Sequence, residues 1–360
     1  MSFFAILFAL LVEQVRPLTF VNPVHEAVRQ WARWGSRSLD AGRVPHGWLA
    51  WAVVVCGPAL LVLCIHWLLV GLLGWLGLLL AFVFHALVLY VTLGFRQFSH
   101  HFTIIRDALD AGDEVAARAE LAHWKQVDTA DLPASEIVRH VIEYSVLAAH
   151  RHVFAVLGWY ALLAAFGLGP AGAVLYRMAE FARRYFAPQG AADLAARQSE
   201  LDGLGGFLAS PSLFAAAQRA WYVIDYLPAR VSSLGFAIVG NFEDAIDSWR
   251  NYAQRLSRSS LGDDLNENDG VILAATSGAL NVRLGGEALK EVFNPLSSGA
   301  FQTSSSDGTG ERVDTAAGSE QSAGREPQFS HLRSVVGLVW RSVVLWMLLL
   351  ALLTLAKLLG

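Results

Sequence analysis

The residues best placed to do chemistry in this sequence are basic and stand beside glycine. Tyr176-Arg177 and Arg183-Arg184 follow the run Gly169-Pro170-Ala171-Gly172-Ala173. Arg230 ends the segment Asp225-Tyr226-Leu227-Pro228-Ala229-Arg230, and Arg283 opens Arg283-Leu284-Gly285-Gly286-Glu287, downstream of Asn268-Asp269-Gly270. Guanidinium groups grip phosphates and carboxylates through paired N–H donors, and glycine lets a backbone come close to a ligand. An anion site built from Gly169, Pro170, Tyr176, Arg177, Arg230, Asn268, Arg283, Gly285 and Gly286 is therefore expected. Each piece also has a plainer use. The Gly-Pro run suits helix–helix contact through small residues, the arginines suit lipid headgroups, and Arg230 can lock onto Asp225.

Histidines form the second set. His66 and His85 lie in an apolar stretch, where ionisable groups are functional candidates by default. No acidic ligand accompanies them there, so they read as neutral, hydrogen-bonded rings. His100-His101 and the pair His150 and His152 read as interfacial residues. Cys56 and Cys64 both sit in an apolar run and have no Cys-x-x-Cys spacing, which makes them small hydrophobes rather than zinc or redox ligands. No Ser-His-Asp set, Walker motif or zinc spacing is visible.

The elements that must position these residues are membrane helices. Of the 360 residues 54% are hydrophobic and only 16% charged, and the mean hydropathy is +0.42, whereas a soluble domain carries about a quarter charged residues. The net charge of −4 and the lack of a basic stripe interleaved with aromatics exclude a nucleic-acid binder. No Asp, Glu, Lys or Arg occurs from Val44 to Phe95. That length holds two spans of about 20 residues each, a hairpin near Trp48–Leu69 and Gly74–Leu93 with Trp48, Trp51, Trp67 and Tyr90 near its ends. Val153–Leu175 is a third segment, either crossing fully or turning back at its Gly-Pro break. Val335–Leu359 is the fourth. Phe3–Val12 lacks a basic flank and reads as an uncleaved, half-buried helix rather than a signal peptide.

The polar parts connect these spans. Thr103–Ser145 has the spacing of amphipathic helices with charge of both signs, the pattern of a solvated connector. Leu213–Ala217, Val231–Val239 and Val271–Leu280 are too short to cross alone and are expected to pack as helices. After Pro295 a Ser-, Gly- and Gln-rich composition predicts a disordered tether. The fold class is all-α, a multi-pass integral membrane protein with amphipathic connectors. Its regions are 1–47 (short apolar helix and Arg-rich connector), 48–95 (hairpin), 96–152 (connector), 153–294 (core, with membrane segment 153–175), 295–330 (tether) and 331–360 (final membrane helix).

In order along the chain come Ala108-Leu109, Gly112-Asp113, Ala116-Ala117-Arg118, Asp128-Thr129, Ile142-Glu143, Gly169-Pro170-Ala171-Gly172-Ala173 and Tyr176-Arg177. Pro228-Ala229-Arg230, Asn268 with Gly270, and Gly278-Ala279-Leu280-Asn281-Val282-Arg283-Leu284-Gly285-Gly286 complete the series, and Asn22-Pro23-Val24-His25 opens it. This ordered set, over about residues 1–290, resembles the CobD/CbiB family of cobalamin-biosynthesis membrane proteins, with its related AmpE branch. The resemblance implies an amide-forming synthase that attaches an aminopropanol-type arm to a corrinoid, with ATP and Mg²⁺ as cofactors.

Departures from the family pattern argue the other way. Leu147, Ala148 and Arg151 stand where the family carries a Glu-Asn and an Asp. Glu180-Phe181-Ala182-Arg183 replaces an Asn-Thr-x-Asp run, and Leu273 replaces an acid. Arginine in place of acid repels Mg²⁺. The resemblance with these losses implies an AmpE-like, catalytically degenerate protein of the inner (plasma) membrane. Its partners would be the bilayer and an anionic small molecule or corrinoid; no cofactor is expected unless the synthase reading holds. In that second reading the acids doing the work are Glu143, Asp225, Asp244 and Glu287.

Overall fold

The computed structural model describes residues 2–15, 23–72, 74–125, 129, 132–187, 209–258, 267–285 and 324–359. Among the described residues every element is helical, apart from an isolated bridge between Val282 and Arg325. The short apolar helix α1 (Ser2–Val15) lies against α4 (Gly74–Thr92), with the Phe8 and Phe82 rings 6.3 Å apart. The amphipathic α2 (Pro23–Leu39) packs Trp31 and Gly35 on α3 (Val44–Leu72), where the Trp31 indole donates to the Val54 carbonyl at 3.2 Å. Helices α3 and α4 form the expected hairpin, turning at Gly74, whose φ of +53° is left-handed and favours glycine.

Helices α5 (Phe95–Asp110) and α6 (Glu114–Lys125) fill the expected connector. The rest of that connector behaves differently. Helix α7 (Ala134–Ala149) continues through a π-helical turn, His150–Phe154, into α8 (Ala155–Ala165). Ala134–Ala165 is one of four helices long and apolar enough to cross a membrane, with Val44–Gly71, Gly74–Thr92 and Phe329–Ala356. The third span thus starts well before Val153 and runs across the 152/153 boundary. Its polar letters mislead in the sequence because Arg139, His140 and Glu143 are all buried and face one another rather than water.

At the Gly-Pro break, past the end of that long helix, the chain makes a corner. Gly167 (φ +75°) and Gly169 (φ +58°) make the corner, and α9 (Ala171–Tyr185) returns along α8 and α3. Gly172 lies so close to the Trp159 carbonyl that a side chain there would collide with backbone. The apolar pieces Leu213–Ala217 and Val231–Val239 fall on one 29-residue helix, α10 (Pro211–Val239). Its N-cap is Ser210, which is itself held by Asp40. Helix α11 (Phe242–Arg258) and the buried α12 (Glu267–Leu280) pack beside its C-terminal half.

The final helix, α13 (Phe329–Leu359), places Trp346 over Phe154 and in the space left by Gly158 and Gly235. Most of the expected tether lies outside the described residues. Its two flanks meet, however: Arg283 N donates to Arg325 O at 2.9 Å and Arg325 N to Asn281 O at 3.0 Å.

Candidate functional site

The site is assembled where the π-turn, α9, α10 and α12 cross. A π-turn carries one more residue than an α-turn and re-aims the side chains around it, and such turns recur at functional sites. Here it presents His150 and Arg151 to two other helices. The His150 ring is fully buried, with Nε2 2.9 Å from Asp225 Oδ1 and Nδ1 2.9 Å from Ser232 Oγ. Toward an ionised Asp225, Nε2–H is the donor. The Tyr176 hydroxyl of α9 donates to the same Asp225 oxygen at 2.7 Å, and the ring leans on Trp221. Asp225 Oδ2, also buried, has no hydrogen-bond partner among the described residues.

Arg151, the next residue of the turn, forms an ion pair with Asp269 of α12. Arg183 of α9 donates to Gln218 Oε1 at 3.0 Å and lies over the Trp221 ring; it senses the charges of Arg151, Asp269, Asp225 and Glu180. So Arg151 and Arg183 meet in one buried polar cluster.

Glu180 forms the outer part of that cluster, bound to Arg177 at 2.8 Å and to Arg184 at 2.8 Å. Burial alone would raise the Glu180 carboxyl. The charges of Arg184, Arg177, His152 and Arg151 outweigh it and hold the group well below the usual carboxylate range. His25, from the start of α2, sits at the edge of this group. Burial and the charges of Arg177, Arg29 and Arg184 push its pKa below the ordinary 6.5. The rim is cationic through Arg177 and Arg184, both paired with Glu180, with Arg29 and the less basic His25 beside them.

A second polar set adjoins through one step of the chain. Arg230 of α10 lies over the Tyr226 ring and binds Asn268 and Glu267 of α12, the Glu267 oxygen at 2.8 Å. Asn268 also donates to the Tyr222 carbonyl at 3.0 Å. Arg230 thus locks onto α12 and not onto the nearby Asp225.

Of the residues expected from the sequence, Tyr176, Arg177, Asp225, Arg230 and Asn268 are brought to this region. Gly169 and Pro170 lie at the corner between α8 and α9. Gly169 makes room for the His66 ring, and Pro170 precedes the first turn of α9. Glu143 is fully buried and accepts from the Gly285 backbone N–H at 2.7 Å, near Arg139 and His140. It pins the loop after α12. Arg283 is exposed and donates to the Gly324 carbonyl at 2.8 Å, and Asp244 is exposed at the start of α11, bound to Asn241. Neither joins the cluster. Gly286 and Glu287 lie outside the described residues.

His150 corrects the interfacial reading: it is the buried hub of the site. Its spacing gave one hint, since it follows Glu143 by seven residues on the same helix face, but its partners come from a helix far along the chain. His66 and His85 are hydrogen-bonded, through side chains rather than the backbone carbonyl expected: His85 lies 3.0 Å from His66 and 2.9 Å from the Tyr160 hydroxyl.

Fold and site define a polytopic helical membrane protein with a buried, ion-paired polar centre. The family model described as "CobD/Cbib protein" matches residues 3–182, half of this chain. The protein belongs to the CobD/CbiB family. Among curated relatives, "Cobalamin biosynthesis protein CobD" of Stutzerimonas stutzeri is 29% identical over 307 residues, covering 85% of this chain and 81% of that protein. The protein of the same name from Chromobacterium violaceum is 30% identical over 212 residues, 58% of each chain. No solved structure matches.

Proposed function

We propose that this chain is a CobD/CbiB-family protein of the inner membrane whose polar centre holds an anionic ligand and does not form the corrinoid amide bond. One observation carries the reading. Arg151 and Arg183 lie in the same buried cluster, and its carboxylates already face internal partners: Asp269 on Arg151, Glu180 on Arg177 and Arg184, Asp225 on His150 and Tyr176; the family resemblance implies acids in place of the two arginines. A hard cation needs several oxygens free to coordinate it. Here guanidinium groups compete for them, so the residues present fit Mg²⁺ and its bound ATP poorly. No step is derived through either.

The cationic rim of Arg29, Arg177 and Arg184 suits a phosphate or carboxylate end of a ligand, which would share the two guanidinium groups with Glu180. The open Asp225 Oδ2 suits a hydroxyl or amine donor on the same molecule. His150 would hold the Asp225 carboxylate in place for that contact.

Two measurements test this. Expressed in a cobalamin auxotroph lacking the family's synthase, the chain is expected not to restore cobalamin synthesis; restoration overturns the reading. In detergent, pyrophosphate is expected to bind, and Arg177→Met with Arg184→Met should weaken it about 10- to 100-fold, the loss of one or two charge-assisted hydrogen bonds.

The second reading is an active synthase in cobalamin biosynthesis. The shared name of the relatives, the first matching over 85% of this chain, favours it. Of the four acids named for that reading, the three among the described residues lie apart. Asp225 is in the polar centre, Glu143 is bound to Gly285, and Asp244 is exposed on α11. The complementation assay decides between the two.

A further inference from the structure

The two helices of the hairpin differ in length, and α2 packs where the shorter one ends. Helix α4 has 19 residues, on the order of 28 Å at 1.5 Å per residue, close to the hydrocarbon thickness of a bilayer. Helix α3 has 29 residues. Counted back from the turn at Gly74, the end of α4 at Thr92 stands level with about Val54 of α3. The first turns of α3, from Val44 onward, therefore project past the end of α4. Helix α2 is seated at that level: a side chain at Gly35 would collide with Val54, and the Trp31 indole donates to the Val54 carbonyl.

The inward face of α2 is small and its outward face is basic. Ala32, Gly35 and Ser36 are buried, whereas Arg29, Arg33 and Arg37 are exposed and follow one another every four residues along one row. Arg43 is exposed just before α3 begins. Apolar side chains flank the row. Trp34 stacks on Trp31 with ring centroids 4.9 Å apart and is 50% exposed, and Val44, Trp48 and Leu49 of α3 are exposed as well. Asp40, the acid nearest in sequence to Arg37 and Arg43, is occupied by Ser210 and the Gly42 N–H. Basic rows beside interfacial aromatic and aliphatic groups take the phosphates of anionic lipids. A soluble anion would use the charges alone and leave the apolar flank in water.

We propose that the outward face of α2 is a docking surface for anionic phospholipid, with Arg33, Arg37 and Arg43 on the headgroup phosphates and Trp34 in the layer below them. Arg29, the first of the row, belongs to the rim of the polar centre. The lipid face and the rim thus share a helix and use different arginines, and the inference does not depend on which ligand the polar centre holds.

Native mass spectrometry of the full chain in mild detergent tests it, with dioleoylphosphatidylglycerol and dioleoylphosphatidylcholine titrated separately. Phosphatidylglycerol is expected to bind at least about 10-fold more tightly, and Arg33→Gln, Arg37→Gln and Arg43→Gln together should abolish that preference. Lysine at the same three positions keeps the charges and should keep the preference, whereas Arg177→Met with Arg184→Met should leave it unchanged. Equal binding of the two lipids, or a preference that survives the glutamine variant, would overturn the proposal. Loss of the preference in the lysine variant would trace it to something other than charge, and loss in the Arg177 and Arg184 variant would place the lipid on the rim; either overturns it. Displacement of phosphatidylglycerol by equimolar glycerol 3-phosphate would reveal a soluble-phosphate site with no use for the apolar flank, and a dimer that dissociates in the glutamine variant would reveal an interface between copies. Both outcomes overturn it as well.

Discussion

At the residue scale, the ion pair of Arg151 with Asp269 and the hub at His150 set the energetics of the centre. Removing one member of a buried pair leaves the other charge without compensation, so Arg151→Ala should destabilise the protein by about 3–5 kcal/mol. Arg151→Met with Asp269→Leu should recover most of that loss, because the uncompensated charge is gone; thermal unfolding in detergent measures both. The rim gives a pH signature. His25 has its pKa lowered in the fold, so the folded protein binds fewer protons there than the unfolded chain does. Its contribution is fully present above 6.5 and is lost as pH falls from 6.5 through the folded pKa. His25→Gln should therefore flatten the fall in melting temperature just below pH 6.5. Tyr176, Arg177 and Arg230 were legible from the sequence as polar residues beside glycine or proline. His150 and Asp269 as site members were not, because each gains its role from a partner on another helix, which spacing within one helix does not reveal.

At the element scale, the π-turn and the Gly-Pro corner place these residues. Deleting Val153 would return the turn to α geometry and rotate His150 and Arg151 by about 100° relative to α8. The expected result is loss of both buried contacts, seen as a melting temperature lowered at least as far as in Arg151→Ala. Gly172→Val should destabilise by about 1–3 kcal/mol through overpacking against the Trp159 backbone. The hairpin α3–α4 was readable because nothing charged interrupts it. The start of the third span was hidden by Arg139, His140 and Glu143, and α10 was split into two short pieces by Asp225 and Arg230. In both helices the polar residues point inward at other helices, and hydropathy counts them without regard to direction.

At the scale of the whole molecule, the membrane anchoring evident from composition holds, and its content is more specific. The spans form a scaffold around a charged centre, with α2 and α9 supplying the cationic edge. The same scale contains the joint between α12 and α13. Arg283, Arg325 and Asn281 exchange backbone hydrogen bonds, Arg283 Nε holds the Gly324 carbonyl, and Glu143 holds Gly285. The start of the last helix is therefore tied at this joint, and its length packs on α7 and α10. Covalent continuity between residues 286 and 323 is expected to be dispensable for assembly. Two separately expressed pieces, residues 1–305 and 306–360, should find each other in the membrane and co-purify. A tag on the second piece that recovers none of the first would show that the peptide link, and not the joint, keeps the final helix in place.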